Sequence, residues 1–142
     1  MDAINRFSLE QHKGPYEKWP LRSRLFLDGR RTSVRVPGYH LLQQVQIRSG
    51  YLLVTDCDCP FDEATSFIVL DSAMRTVAVR TLLAPYGSFN LDRIEWINPS
   101  RFWAVFNHED YWLVAIRAWG IPFLRPRLLV RRSKNPHSQV DR

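Results

Sequence analysis

A chain of 142 residues, 45% hydrophobic and 13% aromatic, has the size and composition of one globular domain that buries its own core and needs no covalent staples. Its two cysteines, Cys57 and Cys59, stand too close together for a disulfide framework. No amino-terminal apolar segment reads as a secretory signal and no run reaches membrane-helix length, so a soluble, cytoplasmic protein without a membrane partner is expected. The net charge of +6 lies in the flanks, with +4 over residues 1–38, −3 over 39–120 and +5 over 121–142, so the total alone does not argue for nucleic acid.

Residues 1–23 lack strand alternation and are expected to be irregular, with a short helix over 2–12 that Pro15 and Pro20 keep from growing. From residue 24 the pattern changes. Short runs that alternate with period two, or are apolar throughout, are punctuated by turn residues every 8 to 12 positions, the mark of antiparallel strands. "RLFLD" and "TSVRV" flank Asp28-Gly29, a hairpin signal. "YHLLQQVQIR" places Leu41, Val45 and Ile47 on one face and Gln44, Gln46 and Arg48 on the other. "YLLVTD" and "SFIVLD" are apolar on both faces. "TVAVRTLL", "NLDRIEWI", "RFWAVFN", "YWLVAIRA" and "RLLVRR" complete nine or ten strands, and the polar residues 133–142 read as a tail.

Strands apolar on both faces must be covered on both. The fold class is therefore an all-β antiparallel meander: two packed sheets, two four-stranded units like propeller blades (41–83 and 91–131), or a closed up-and-down barrel. The domain proper is 24–132.

In a meander every second loop lies at the same end. One end then gathers Asp56, Asp58, Asp62, Glu63, Glu109 and Asp110 with no Lys or Arg, and the other gathers Arg30, Arg31, Arg48, Arg75, Arg101 and Arg125. An acidic rim and a basic rim are expected, a separation suited to steering a charged partner.

The densest chemistry in the chain is "TDCDCPFDE", residues 55–63. Cys57 and Cys59 with His108 and a neighbouring carboxylate are the right residue types for zinc, but the spacing is not C-x2-C and no second cysteine pair exists. Acidic neighbours raise thiol pKa values, which disfavours redox work. The chain has no G-x-S-x-G, no H-E-x-x-H and no glycine-rich phosphate loop, so neither catalysis nor a cofactor or metal is expected.

Trp96 should join Ile94 on the core side, whereas Phe102-Trp103 and Tyr111-Trp112 split between faces. The loop "AWGIPFLRP" carries Trp119, Ile121, Phe123 and Arg125 in the mixture typical of interface hot spots. These features point to a non-catalytic module that binds another protein (a toxin, an effector or an assembly partner), as immunity proteins and adaptors do. Its contact residues would be Asp58, Asp62, Glu63, Glu109, Asp110, Trp119, Phe123 and Arg125. The alternatives are a barrel holding a small hydrophobic ligand and nucleic-acid binding through the Arg-rich carboxyl terminus.

Overall fold

The computed structural model describes residues 1–58, 62–85, 90–118, 120 and 126–137, with backbone alone at 58, 62, 84 and 85. Among the described residues the chain forms β1 (Asp2–Ala3), β2 (Phe7–Leu9), β3 (Arg22–Leu27), β4 (Arg30–Pro37), β5 (His40–Ile47) and β6 (Gly50–Asp58). It continues through β7 (Asp62–Asp71), β8 (Thr76–Pro85), β9 (Leu91–Asn98), β10 (Arg101–Phe106), β11 (Asp110–Ile116) and β12 (Leu128–Ser133). The described helical structure is a single 3-10 turn at Tyr16–Lys18, and no described helix is long and apolar enough to cross a membrane.

Every pairing is antiparallel, and the strands form three sheets, β2-β3-β4, β1-β5-β6-β7-β8 and β12-β11-β10-β9. These sheets are open, so the closed barrel considered from the sequence does not form, and with it goes the enclosed lumen that a hydrophobic ligand would have required. The two later sheets are meanders of consecutive strands, β5 to β8 and β9 to β12.

Two separate cores explain why β6 and β7 are apolar on both faces. Leu52 and Val54 of β6 and Phe67 and Val69 of β7 meet Phe102, Phe106, Val114 and Leu128 of the four-stranded sheet. The intervening Leu53, Ile68 and Leu70 point the opposite way and meet Phe7, Leu9, Leu25 and Val36 of the three-stranded sheet. The molecule is a three-layer β-sandwich whose central sheet is dry on both sides, and the period-two rule assigns alternate residues of one strand to different cores.

Two local departures from the sequence reading have identifiable causes. Residues 2–12 are not helical: Asp2 and Ala3 pair with Gln46 and Val45, and Phe7 and Leu9 are buried on either side of exposed Ser8. Three residues are too few for a periodicity window to register, and tertiary cover decides their state. The side chain of Gln44 completes the attachment, because its Oε1 accepts from the backbone N–H of Arg6 and Phe7 while its Nε2 donates to the Phe7 carbonyl. Leu41 does not share a face with Val45 and Ile47, because a register shift between Leu41 and Gln43 turns it toward the other core.

Glycine is required at two close approaches of the chain, one at the crossing between layers and one in the β5–β6 hairpin. Gly38 has φ +100° at the step from β4 to β5, and a Cβ there would lie 2.5 Å from Thr55 Oγ1. Gly50 (φ +152°) opens β6 with its α-carbon against the Leu70 carbonyl, where no side chain fits.

Candidate binding surface

The sequence-derived acidic rim is only partly assembled. Asp58 and Glu63 face each other across the β6–β7 ladder. Glu109 and Asp110 belong to the β10–β11 turn, where Asn107 and His108 adopt left-handed φ values of 52° and 71°. Contrary to expectation this end is not free of cations. β12 runs antiparallel to β11 and delivers its basic terminus there, so Arg132 Nε donates to Asp110 Oδ1 at 2.9 Å and Lys134 shares one recess with Glu109 and Asp110. Asp56 is held by His40 Nδ1 at 2.8 Å. Trp119, Phe123 and Arg125 lie outside the described residues, as does Cys59. Among the described residues no group of three or more His, Cys, Asp or Glu is placed to hold a metal ion. The opposite end gathers Arg48 and Arg117 beside Asn98 and Ser100 in a cleft of ≈ 530 Å³.

Trp96 and Ile94 pack on the core side, as read from the sequence, with the Trp96 and Phe102 rings 4.8 Å apart. Trp112 also turns inward, whereas Trp103 and Tyr111 share the outer face of the four-stranded sheet. On that face Arg93 donates to the Tyr111 hydroxyl and to Glu95, and His137 folds back onto both Tyr111 and Glu95. The hydrogen bonds from His137 and then Arg93 hold the Glu95 carboxyl below the usual range.

The sequence reading missed two features, one at the β4–β5 crossing and one on the three-stranded sheet. The first is an aromatic cluster built by the irregular segment before β3. Tyr16, Trp19 and Tyr39 stack edge to face or tilted, with centroids 4.9 to 5.7 Å apart, and His12 joins them. The cluster is tied down at its rims. Trp19 Nε1 donates to the Gly14 carbonyl, and the Tyr39 hydroxyl donates to the Pro20 carbonyl. Buried Ser23 donates its one hydroxyl proton to the Gly38 carbonyl, which leaves His12 Nε2 to donate to Ser23 Oγ. Beside this platform Leu21 is 87% exposed.

The second feature is the sheet's outer face. β3 turns Ser23 and Leu25 inward, so Arg22, Arg24 and Phe26 point out. The register sets Arg35 opposite Arg24 and Arg31 opposite Phe26. Burial lowers the Arg24 guanidinium below its ordinary pKa, and the charges of Arg35 and Arg31 add to the effect. Its enclosed Nε has no acceptor, although the same side chain donates from Nη1 to the Thr32 carbonyl. Glu10 is the nearby carboxylate, and its Oε1 accepts from the Arg24 backbone N–H. The period-two rule, applied to charge rather than to hydrophobicity, would have found this face in "RSRLF" and "RTSVR".

No protein-family model, curated protein or solved structure matches the chain.

Proposed function

We propose that the chain is a non-catalytic protein-binding module of the immunity-protein or adaptor type, acting in the cytoplasm, with the aromatic cluster of Tyr16, Trp19 and Tyr39 and the adjoining Leu21 as its anchor. The observation that carries this reading is the cluster's construction. It is a set of large aromatic side chains, pre-ordered by hydrogen bonds at their edges, with a leucine that is 87% exposed beside it. Tyrosine and tryptophan held rigid supply contact area at small entropic cost, which is why such residues dominate interface energies. Stability of the isolated chain does not call for Leu21 to be apolar.

Leu21→Asp tests the reading without disturbing the fold, because that side chain buries almost nothing. The wild-type chain is expected to retain one protein from the host extract, to bind it again when both are purified, and to lose it about tenfold or more with Leu21→Asp at an unchanged melting temperature. Equal retention by both forms would remove the anchor from this surface.

A further inference from the structure

We infer that the outer face of the three-stranded sheet recognises a carboxylate-rich segment of a partner protein through Arg22, Arg24, Arg31 and Arg35. The inference rests on the protein-binding reading above and extends it to the partner's chemistry.

Four arginines gathered on one small sheet repel one another, with Arg24 and Arg35 directly opposite across the ladder, whereas elsewhere in the described molecule some arginines are paired with carboxylates and others make no described salt bridge. Arg6, Arg75, Arg93 and Arg132 each meet a carboxylate within 3.0 Å. Among the described residues none of the four face arginines makes a salt bridge. Arg22, Arg31 and Arg35 are exposed. Arg24 is half-buried, with an enclosed Nε that finds no acceptor. That enclosed donor fixes a positive group, without compensation, beneath the exposed arginines.

The ladder sets Arg24 opposite Arg35 and Phe26 opposite Arg31, with a register shift between the two pairs, so the four arginines share one face of two neighbouring strands about 4.8 Å apart. Each planar fork can grip a carboxylate through two parallel hydrogen bonds.

A phosphate backbone offers the same charge, but two observations favour protein. Single-stranded nucleic acid is held by rings interleaved with the charges, whereas among these arginines stands one half-buried ring, Phe26, and the rings of the adjoining cluster are packed on one another. The face also runs into the aromatic anchor along the chain. Arg22 follows Leu21, and its ladder partner Pro37 stands two residues before Tyr39. An apolar anchor flanked by charge is the arrangement of a protein interface.

The test titrates the full chain with fluorescein-labelled deca-glutamate and, separately, with a deca-thymidylate oligonucleotide, following anisotropy and the arginine Nε–Hε NMR signals. Deca-glutamate is expected to bind, to perturb the signals of the four face arginines, and to weaken about tenfold or more between roughly 0.02 and 0.3 M salt. Arg31→Glu with Arg35→Glu, both exposed on β4, is expected to reduce affinity about tenfold or more, while Arg101→Glu with Arg131→Glu, an equal charge change on another sheet, stays within about threefold. Arg31→Lys with Arg35→Lys should fall between wild type and the Glu pair, since the charge remains and the fork is lost. Equal losses from the two Glu pairs would reduce the effect to net charge and overturn the inference. Tighter, face-dependent binding of the oligonucleotide would overturn it in favour of nucleic acid. Leu21→Asp is read in the capture experiment and the arginine pairs in this one, so the anchor and the array can fail separately.

Discussion

Gln44 does the work of a missing stretch of strand. The chain between β1 and β2 leaves the β5 ladder, and there the carboxamide offers one acceptor to two backbone N–H groups and one donor to a carbonyl. Only an amide side chain carries both functions at that reach, so the residue is specified although it looked like an ordinary polar position on an alternating strand. Gln44→Ala removes three hydrogen bonds, two of them from the partly enclosed backbone groups of Phe7, and is expected to cost about 1–3 kcal/mol, measured by denaturant unfolding. Gln44→Glu retains the acceptor but sets a carboxylate against the Phe7 carbonyl, and hydrogen exchange at Phe7 should rise in both variants.

At the level of elements, the central strands are where sequence and structure agree most closely. "YLLVTD" and "SFIVLD" announced that two layers must cover them, and the pairs Leu52/Leu53 and Ile68/Val69 each divide between the two cores. Neighbouring residues of the same type can therefore be used to address different interfaces. Leu52→Ala and Leu53→Ala should each cost about 2–5 kcal/mol. The first is expected to raise hydrogen exchange chiefly in β10–β12 and the second chiefly in β2–β4, and an identical exchange pattern in both would deny that the cores are distinct. In the three-stranded sheet the β3–β4 hairpin was legible at Asp28-Gly29, whereas β2 was not. β2 is three residues long, and its contribution to the core, Phe7 and Leu9, becomes a strand only through Leu25 and the Gln44 amide. The arginine face was legible in principle, since Arg22, Arg24, Arg31 and Arg35 alternate with inward residues. The aromatic cluster was not, because Tyr16, Trp19 and Tyr39 come from a segment without period and from across the β4–β5 crossing. The acidic rim failed in part for a topological reason: an antiparallel closing strand returns its basic end to the loops of its neighbour, and Arg132 meets Asp110 there.

For the molecule as a whole, the pH response includes that of three carboxylates, among the described residues, held low in the folded state. Asp71 is lowered first by the backbone N–H of Arg75, Asp28 first by the Arg6 hydrogen bond and Glu95 first by His137. A depressed folded-state pKa gives stability that is complete above the unfolded value, about 4 for these groups, and is lost as pH falls through the folded value. The melting temperature is therefore expected to decline on acidification below about pH 4, and Asp71→Asn should make that decline shallower while lowering the midpoint at neutral pH. A pH-independent difference between the two proteins would refute the linkage.

The three layers also fix an order in time. Synthesis delivers the first outer sheet, then the central one, then the second outer sheet, while Ile68 and Leu70, which cover Leu25, follow it by more than forty residues. The sheet is complete at Pro37, so at about 5–20 residues per second it waits roughly 1.5–7 s for Ile68 and Leu70. During that interval the like charges on its other side oppose the association of two nascent chains.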